Sequence, residues 1–394
     1  PTATPTETPT ETPTATPTET PTETPTATPT ETPTETPVPV SLPAFPTINL
    51  GIAGVDTSSP PAWSALSIGG RFCTDYVAYH GNQNGNWDIL RADGLNITQS
   101  GGSDIQPARS PDGSWIAYSS DRDGNWEIYV SAADGSFTQR VTVNTFATDI
   151  NPAWGADRRI AYQSNRDGDW EIYVFDTASG SETRLTFTGG ADVNPAWSPD
   201  GTRLLYQSNR DGVWQIYQYD FGSGAESRLS DGSDARDAQF SPDASRILLR
   251  SLRDGSSVIY VMNADGSGLF AVSAPGAEST NAAWSPNGAL IAYQSNLDGD
   301  SDIYVYDLAS GQTRKISENG VPDYAPTWNC GGDSVIFNSE IFGDPDLFQM
   351  GVFPLEAPAA AVEGGTQLTS ASAAELFAQV GLNAESASRL GNVP

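Results

Sequence analysis

Residues 194–217 read NPAWSPDGTRLLYQSNRDGVWQIY. SPDG (198–201) puts Pro second and Asp third in a four-residue turn, the chemistry of a tight type I reversal. An apolar and aromatic run follows, and then RDG (210–212), where Gly tolerates a positive φ and turns the chain again. A sister copy, WEIYV (170–174), places Trp170, Ile172 and Val174 on one face of a strand and Tyr173 on the other. Apolar side chains on both faces require a sheet covered on both sides. TRLT (183–186), after a Gly-Ser turn, completes a four-strand unit.

The unit recurs. SNRDGDWEIYVFD (164–176) has looser copies in SDRDGNWEIYVSA (120–132), SLRDGSSVIYVMN (251–263), SNLDGDSDIYVYD (295–307) and NQNGNWDILRAD (82–93). Ahead of these lie PAWS at 61 and 195, PAWG at 152, AAWS at 282 and PTWN at 326. Counted from Trp63, Arg109, Trp154, Trp197, Phe240, Trp284 and Trp328, this gives units of about 44 residues, the period of a β-propeller. The expectation is an all-β fold: a seven-bladed β-propeller of four-stranded blades over 46–370. An extended Pro/Thr/Glu arm (1–45) precedes it, and a short helical tail (371–394) follows, with Leu376, Val380 and Leu382 on one face. One strand is surplus. PTINLGIAGVD (46–56) reads as an outer strand without a blade, yet the last unit already carries TQLT at 366–369. Either one is not a strand, the last blade has five, or the extra strand pairs with another molecule.

NPAWSPDGTRLLYQSNRDGVWQIY resembles the TolB-type propeller repeat, with its Ala-Trp-Ser-Pro-Asp-Gly strand and turn, Ser-Asn-Arg-Asp-Gly turn and Ile-Tyr strand. The resemblance spans about 61–369. It implies a propeller, and it implies the roles found in that family: an envelope adaptor, the propeller of a peptidase, or a secreted protein. The pattern departs in two ways. TolB resembles a six-bladed propeller behind an α/β domain, whereas this sequence counts seven units behind a Pro/Thr arm, and no peptidase domain follows.

Composition narrows the function. A formal charge of -30 leaves no basic surface for nucleic acid or anionic lipid, and no apolar run reaches the roughly 20 residues of a membrane span. The first residue is Pro, so a processed or truncated chain is expected. His80 is the only histidine and Lys315 the only lysine. A catalytic triad, a Cys-His zinc site or a Schiff base each depends on one such residue. A glycosidase needs two carboxylates roughly 5–10 Å apart, but most acids here fall at repeated positions that serve every unit alike. The expectation is no enzyme, with no catalytic or cofactor-binding residues.

Few residues stand apart. In the loops at 121–127, 165–171 and 296–302 oxygen-bearing side chains alternate, and Asp298, Asp300 and Asp302 are the candidate calcium ligands. The alternative is a hairpin whose Asp caps backbone N–H groups while its Arg pairs with the next blade. The repeated Trp residues read as packing between blades, and Phe342 and Tyr324 as contact candidates. Cys330 replaces the turn Pro of the last unit and Cys73 lies in the matching connection of the first. Ring closure makes those units neighbours, so a Cys73–Cys330 disulfide is expected, with the oxidising, extracytoplasmic setting it implies. Asn96-Ile97-Thr98 is an N-glycan tripeptide.

PTATPTETPTET is written three times before Pro37. Pro at every fourth position blocks helix and central strand, and Thr and Glu supply no core. An extended polyproline-like rod is expected, O-glycosylated at Thr2, Thr4, Thr6, Thr8, Thr10, Thr12, Thr14, Thr16, Thr18, Thr20 and their repeats. The reading is a secreted, non-enzymatic interaction module. It self-assembles into an extracellular filament, a homopolymer in which the arm lies against an adjacent propeller and strand 46–56 makes the first β contact. The rival readings are a TolB-like adaptor for peptide segments and a glycan-binding or glycan-cleaving propeller.

Overall fold

The structure, a computed structural model, describes residues 47–53, 78–82, 85–341 and 346–352. These form strands β1 (Thr47–Ala53), β2 (Ala78–Gly81) and β3 (Asp88–Arg91), followed by six blades. The first blade is β4 (Asp104–Arg109), β5 (Trp115–Ser120), β6 (Glu127–Ala132) and β7 (Thr138–Arg140). The second is β8 (Asp149–Trp154), β9 (Arg159–Ser164), β10 (Glu171–Asp176) and β11 (Ser181–Arg184). The third is β12 (Asp192–Trp197), β13 (Arg203–Ser208), β14 (Gln215–Asp220) and β15 (Ala225–Arg228). The fourth is β16 (Ala235–Phe240), β17 (Arg246–Ser251), β18 (Val258–Asn263) and the two-residue β19 (Phe270–Ala271). The fifth is β20 (Ser279–Trp284), β21 (Leu290–Ser295), β22 (Asp302–Asp307) and β23 (Gln312–Lys315). In the sixth, β24 (Asp323–Trp328), β25 (Ser334–Ser339) and β26 (Asp346–Gly351) are joined by β1 from the other end of the chain.

The architecture corrects the sequence reading in three respects. Among the described residues six sheets have four strands, not seven; β2 and β3 pair only with each other there and form a two-stranded sheet. It sits between the sixth blade, through Tyr79, Leu90, Ile336 and Leu347, and the first, through Ala78, Ile89, Ile116 and Tyr118. Among the described residues there is no helix, so the propeller is described with no helical tail; residues 371–394 lie outside the described set, as does TQLT at 366–369. Third, the surplus strand does not reach for another molecule. β1 runs antiparallel to β26, Thr47 opposite Met350 and Asn49 opposite Phe348, and supplies the outer strand of the last blade. Pairing inside the chain satisfies the edge at no cost in translational entropy, which explains why it wins over a contact in trans.

The apolar residues on both strand faces do what the sequence requires of them. Ile172, Val174 and Ala161 on one face of the second blade pack with Leu204, Tyr206 and Tyr217 of the third, while Tyr162 and Tyr173 on the other face pack with Ala117, Ile128 and Val130 of the first. The repeated Trp residues serve the same seams: Trp197 Nε1 donates to Ala153 O of the preceding blade at 3.1 Å, and Trp328 Nε1 to Ala283 O at 3.1 Å.

Candidate functional site

Three repeated polar arrangements use up most of the conspicuous side chains. The first lies on the inner strands. In every blade the pairing register shifts within the inner strand, and its third residue is left-handed: Gln106, Asn151, Asn194, Asp237, Asn281 and Ala325, with φ between 49 and 58. Four of these six are Asn or Asp, the non-glycine residues that enter this region most readily. The N–H turned out by the bulge is taken by a side chain of the preceding sheet. Asn194 N donates to Gln163 Oε1 at 3.0 Å, Ala325 N to Gln294 Oε1 at 3.1 Å, Asn151 N to Ser119 Oγ at 3.1 Å, and Gln106 N to His80 Nδ1 at 3.4 Å. Gln163 and Gln294, each the Gln of a YQS motif, are therefore latches between blades. Their repetition is visible in the sequence; their target, a bulged N–H about 31 residues on, is not.

The second arrangement holds the RDG turns. Arg122, Arg166 and Arg210 bond buried Asp104, Asp149 and Asp192 at 2.9, 2.8 and 3.2 Å, and lie over Tyr129, Tyr173 and Tyr217. Each pairs inside its own blade, not with the next blade as the hairpin reading holds. The same guanidinium donates to the hydroxyl of Tyr118, Tyr162 or Tyr206 at 3.2, 3.3 and 3.1 Å. Burial pushes the Asp149 carboxyl up despite its Ser164 and Arg166 partners.

The third involves the outer strand and the hydroxyl that follows it. Arg140 bridges Asp123 and Glu127 at 2.8 and 2.7 Å, and Arg184 bridges Asp167 and Glu171 at 2.8 and 2.7 Å. Thr142, Thr186, Ser230, Ser273 and Ser317 accept the N–H of the third strand's isoleucine, each at 2.9 Å.

Against this background the candidate residues acquire positions. Asp298, Asp300 and Asp302 do come together, with carboxylate oxygens within 4.8 Å of one another. They occupy the place of Asp167, Asp169 and Glu171, and Lys315 stands where Arg184 does. Its Nζ lies 2.5 Å from Asp298 Oδ2 and 2.7 Å from Asp302 Oδ2. Burial, with the charges of Asp300 and Asp298 added, lifts Asp302 to about 6 against the pull of Lys315. At Asp298 burial is the largest single influence, but Lys315 and the Tyr304 hydroxyl together overcome it and hold the carboxyl below its ordinary value. These oxygens suit a hard cation, but a divalent ion would meet the Lys315 ammonium in the position it needs.

Asn96 donates its amide nitrogen, the atom that would carry a glycan, to Asp88 Oδ2 at 2.7 Å. Thr98 is the equivalent of Thr142 and Thr186: it is buried and its Oγ1 accepts Ile89 N at 2.9 Å. The threonine of this tripeptide thus has a structural occupation. A glycan on Asn96 would break a bond to a buried carboxylate. Cys330 lies in the turn between β24 and β25 and is not a free thiol. Cys73, Phe342 and the threonines of the arm lie outside the described residues. Tyr324 is half-buried. Among the described residues the most exposed large apolar side chains are others: Phe146, 98% exposed, Val143, 79%, and Phe187, 71%. They sit on the connections from the first blade to the second and from the second to the third, on the face that also carries the RDG turns.

The repeat matches a known domain family over residues 143–239, the TolB beta propeller domain. The propeller is TolB-like. No curated protein matches the chain. Among solved structures it resembles TolB from Acinetobacter baumannii at 21% identity and TM-score 0.47, over 61% of this chain and 64% of that one, so it spans less than two thirds of that TolB. The propeller domain of the trilobed protease from Pyrococcus furiosus matches at 16% identity and TM-score 0.53, over 76% and 93%. A puromycin hydrolase matches at 14% and TM-score 0.57, over 72% and 53%. At these identities the likeness is one of fold. The Pyrococcus furiosus propeller has an open velcro topology, whereas in this TolB-like chain β1 is paired with β26.

Proposed function

We propose that this TolB-like propeller is a secreted, non-enzymatic interaction module, and that copies assemble when the Pro/Thr arm of one lies on the propeller face of another. The observation that carries the reading is that Val143, Phe146 and Phe187 are exposed large apolar side chains on consecutive connections between blades, on one face. Pro-rich segments in the polyproline conformation are recognised by aromatic surfaces, because little conformational entropy is lost on docking. The arm repeats Pro at every fourth position through Pro37. Since β1 is committed within its own blade, the arm alone is left to make the contact in trans. Catalysis is left out of the reading. The repeated carboxylates are tied to Arg or Lys315 within their own blades, and the only histidine accepts a backbone N–H from Gln106. The same reading places the protein outside the cytoplasm, with Cys330 joined to Cys73 across the closure and O-glycans on the arm.

The test compares full-length protein with a chain lacking residues 1–46, which keeps β1 whole. The truncated protein should be a folded monomer by sedimentation, while full-length protein forms oligomers or filaments. Added salt should strengthen that association, because a chain of charge -30 repels its own Glu-bearing arm. Phe146→Ser with Phe187→Ser should abolish it. Filaments from the truncated chain, or a full-length monomer at high concentration, would reduce the arm to a stalk.

A further inference from the structure

The fourth blade breaks the repeat at one spot. In the other five blades the second strand presents an aromatic ring stacked on one from the third strand. The pairs are Tyr118–Tyr129, Tyr162–Tyr173, Tyr206–Tyr217, Tyr293–Tyr304 and Phe337–Phe348, with centroids 5.7 to 6.1 Å apart. In the fourth blade Tyr260 faces Leu249 across the same pair of strands. Two further changes accompany the missing ring. The outer-strand acid that meets the RDG arginine, Glu182 or Glu226, is replaced by Leu269, which follows from the pairing of Val261 with Phe270. Arg253 in turn ion-pairs with Asp231 at 3.1 Å.

A cavity of about 170 Å³ opens at this spot, lined by Leu229, Leu249, Met262 and Leu269, with Asp231 and Arg253 at its rim. Leu229 stands where Leu185 packs beside Tyr206, and Met262 where Tyr219 does. The void therefore lies where a tyrosine ring would be. Gly266 and Gly268 also line it; a Cβ on Gly266 would come within 2.8 Å of Leu229 O. An enclosed, wholly apolar cavity of about 150 Å³ takes up benzene; here Ser230 and Ser251 join the apolar lining. The rim adds polarity. In the second blade the Tyr162 hydroxyl accepts from Arg166 at 3.3 Å and donates to Glu182. Arg253 and Asp231 offer the same donor and acceptor types to a guest.

We propose that this cavity is a binding site for a monocyclic phenol, whose ring replaces the absent tyrosine side chain and whose hydroxyl meets Arg253 and Asp231. The site is independent of the arm and its assembly.

The experiment is thermal unfolding and NMR titration of the full chain with p-cresol, toluene and N-acetyl-tyrosinamide. p-Cresol should raise the melting midpoint progressively with concentration, as a ligand of the native state does. Toluene should do so less. Leu249→Tyr, which restores the repeat, and Leu249→Phe, which fills the ring volume alone, should each lose the shift. Arg253→Leu should remove the advantage of p-cresol over toluene. A shift with p-cresol alone assigns a free phenol, and an equal shift with N-acetyl-tyrosinamide assigns a tyrosine presented by a partner. No shift in the wild type, or an undiminished one in both Leu249 variants, overturns the site; equal shifts with toluene and p-cresol overturn the polar recognition.

Discussion

The third and fourth blades share topology and a seam, yet they hold themselves together differently. In the third, Tyr206 stacks on Tyr217, and Arg210 ties the Tyr206 hydroxyl, buried Asp192 and exposed Glu226 into one network. In the fourth, Leu249, Ala235 and Leu269 stand where Tyr206, Asp192 and Glu226 do, the outer strand shrinks to Phe270–Ala271, and a cavity opens. The latch of the second and fifth blades is absent from the fourth as well. Gln163 and Gln294 accept the bulged N–H of the next blade, whereas Arg250 has no acceptor to offer and turns to Asp237 in its own blade at 2.7 Å. The strand frame thus survives loss of both networks. Backbone pairing and the apolar seam set the blade, and the polar networks add local stability and a filled interior.

That comparison can be broken from either side. The largest effect is expected from copying the fourth blade into the third. Tyr206→Leu removes a buried ring and leaves Arg210 without its hydroxyl partner, at a cost of about 2–4 kcal/mol in urea unfolding. A cost near zero would mean that the ring packing is ornamental. Gln163→Leu comes next. It strands the Asn194 N–H at the bulge and should cost about 1–3 kcal/mol, with faster amide exchange at Asn194. Arg250→Gln, which gives the fourth blade the side chain its neighbours use, should be neutral or mildly stabilising by comparison. Running the first change in reverse, Leu249→Tyr should fill the cavity and gain about 1 kcal/mol, provided that Arg253 swings back to the new hydroxyl.

The smallest effect concerns the fifth blade, where lysine replaces the usual arginine. The Asp302 carboxyl, raised to about 6 by burial, lies above its unfolded value of about 4. A group raised in this way favours the fold when protonated. Its contribution is complete below about pH 4 and is lost as pH rises through about 6. Wild-type protein should therefore gain stability from this group between pH 7 and pH 5, and Asp302→Asn should remove that component alone. The check is the difference between wild-type and variant denaturation midpoints across that window; a constant difference would show that Asp302 does not titrate there.

Much of this was legible in residues 194–217. Pro and Asp at fixed turn positions, Gly where φ must be positive, and apolar side chains on both strand faces are local requirements, so they specify strands, turns and stacked sheets wherever they recur. The candidate carboxylates Asp298, Asp300 and Asp302 lie close together because a hairpin turn keeps neighbours in sequence neighbours in space. Lys315 beside them was not foreseen, since it comes from the next strand and only strand register aligns it with Asp298 and Asp302. The buried role of Thr98 was likewise hidden behind a surface motif of the same three letters.

What the sequence could not decide is how the ends meet. A repeat specifies its own unit, but TINLGIA reads as an outer strand whichever edge it joins. Its partner, β26, lies some 300 residues away, beyond the reach of any periodic signal. Nor does a copy of the motif announce its sheet: among the described residues NQNGNWDILRAD contributes β3, beside β2. The tertiary structure settled both points, because an unpaired strand edge is satisfied by whichever complementary edge ring closure brings within hydrogen-bonding reach.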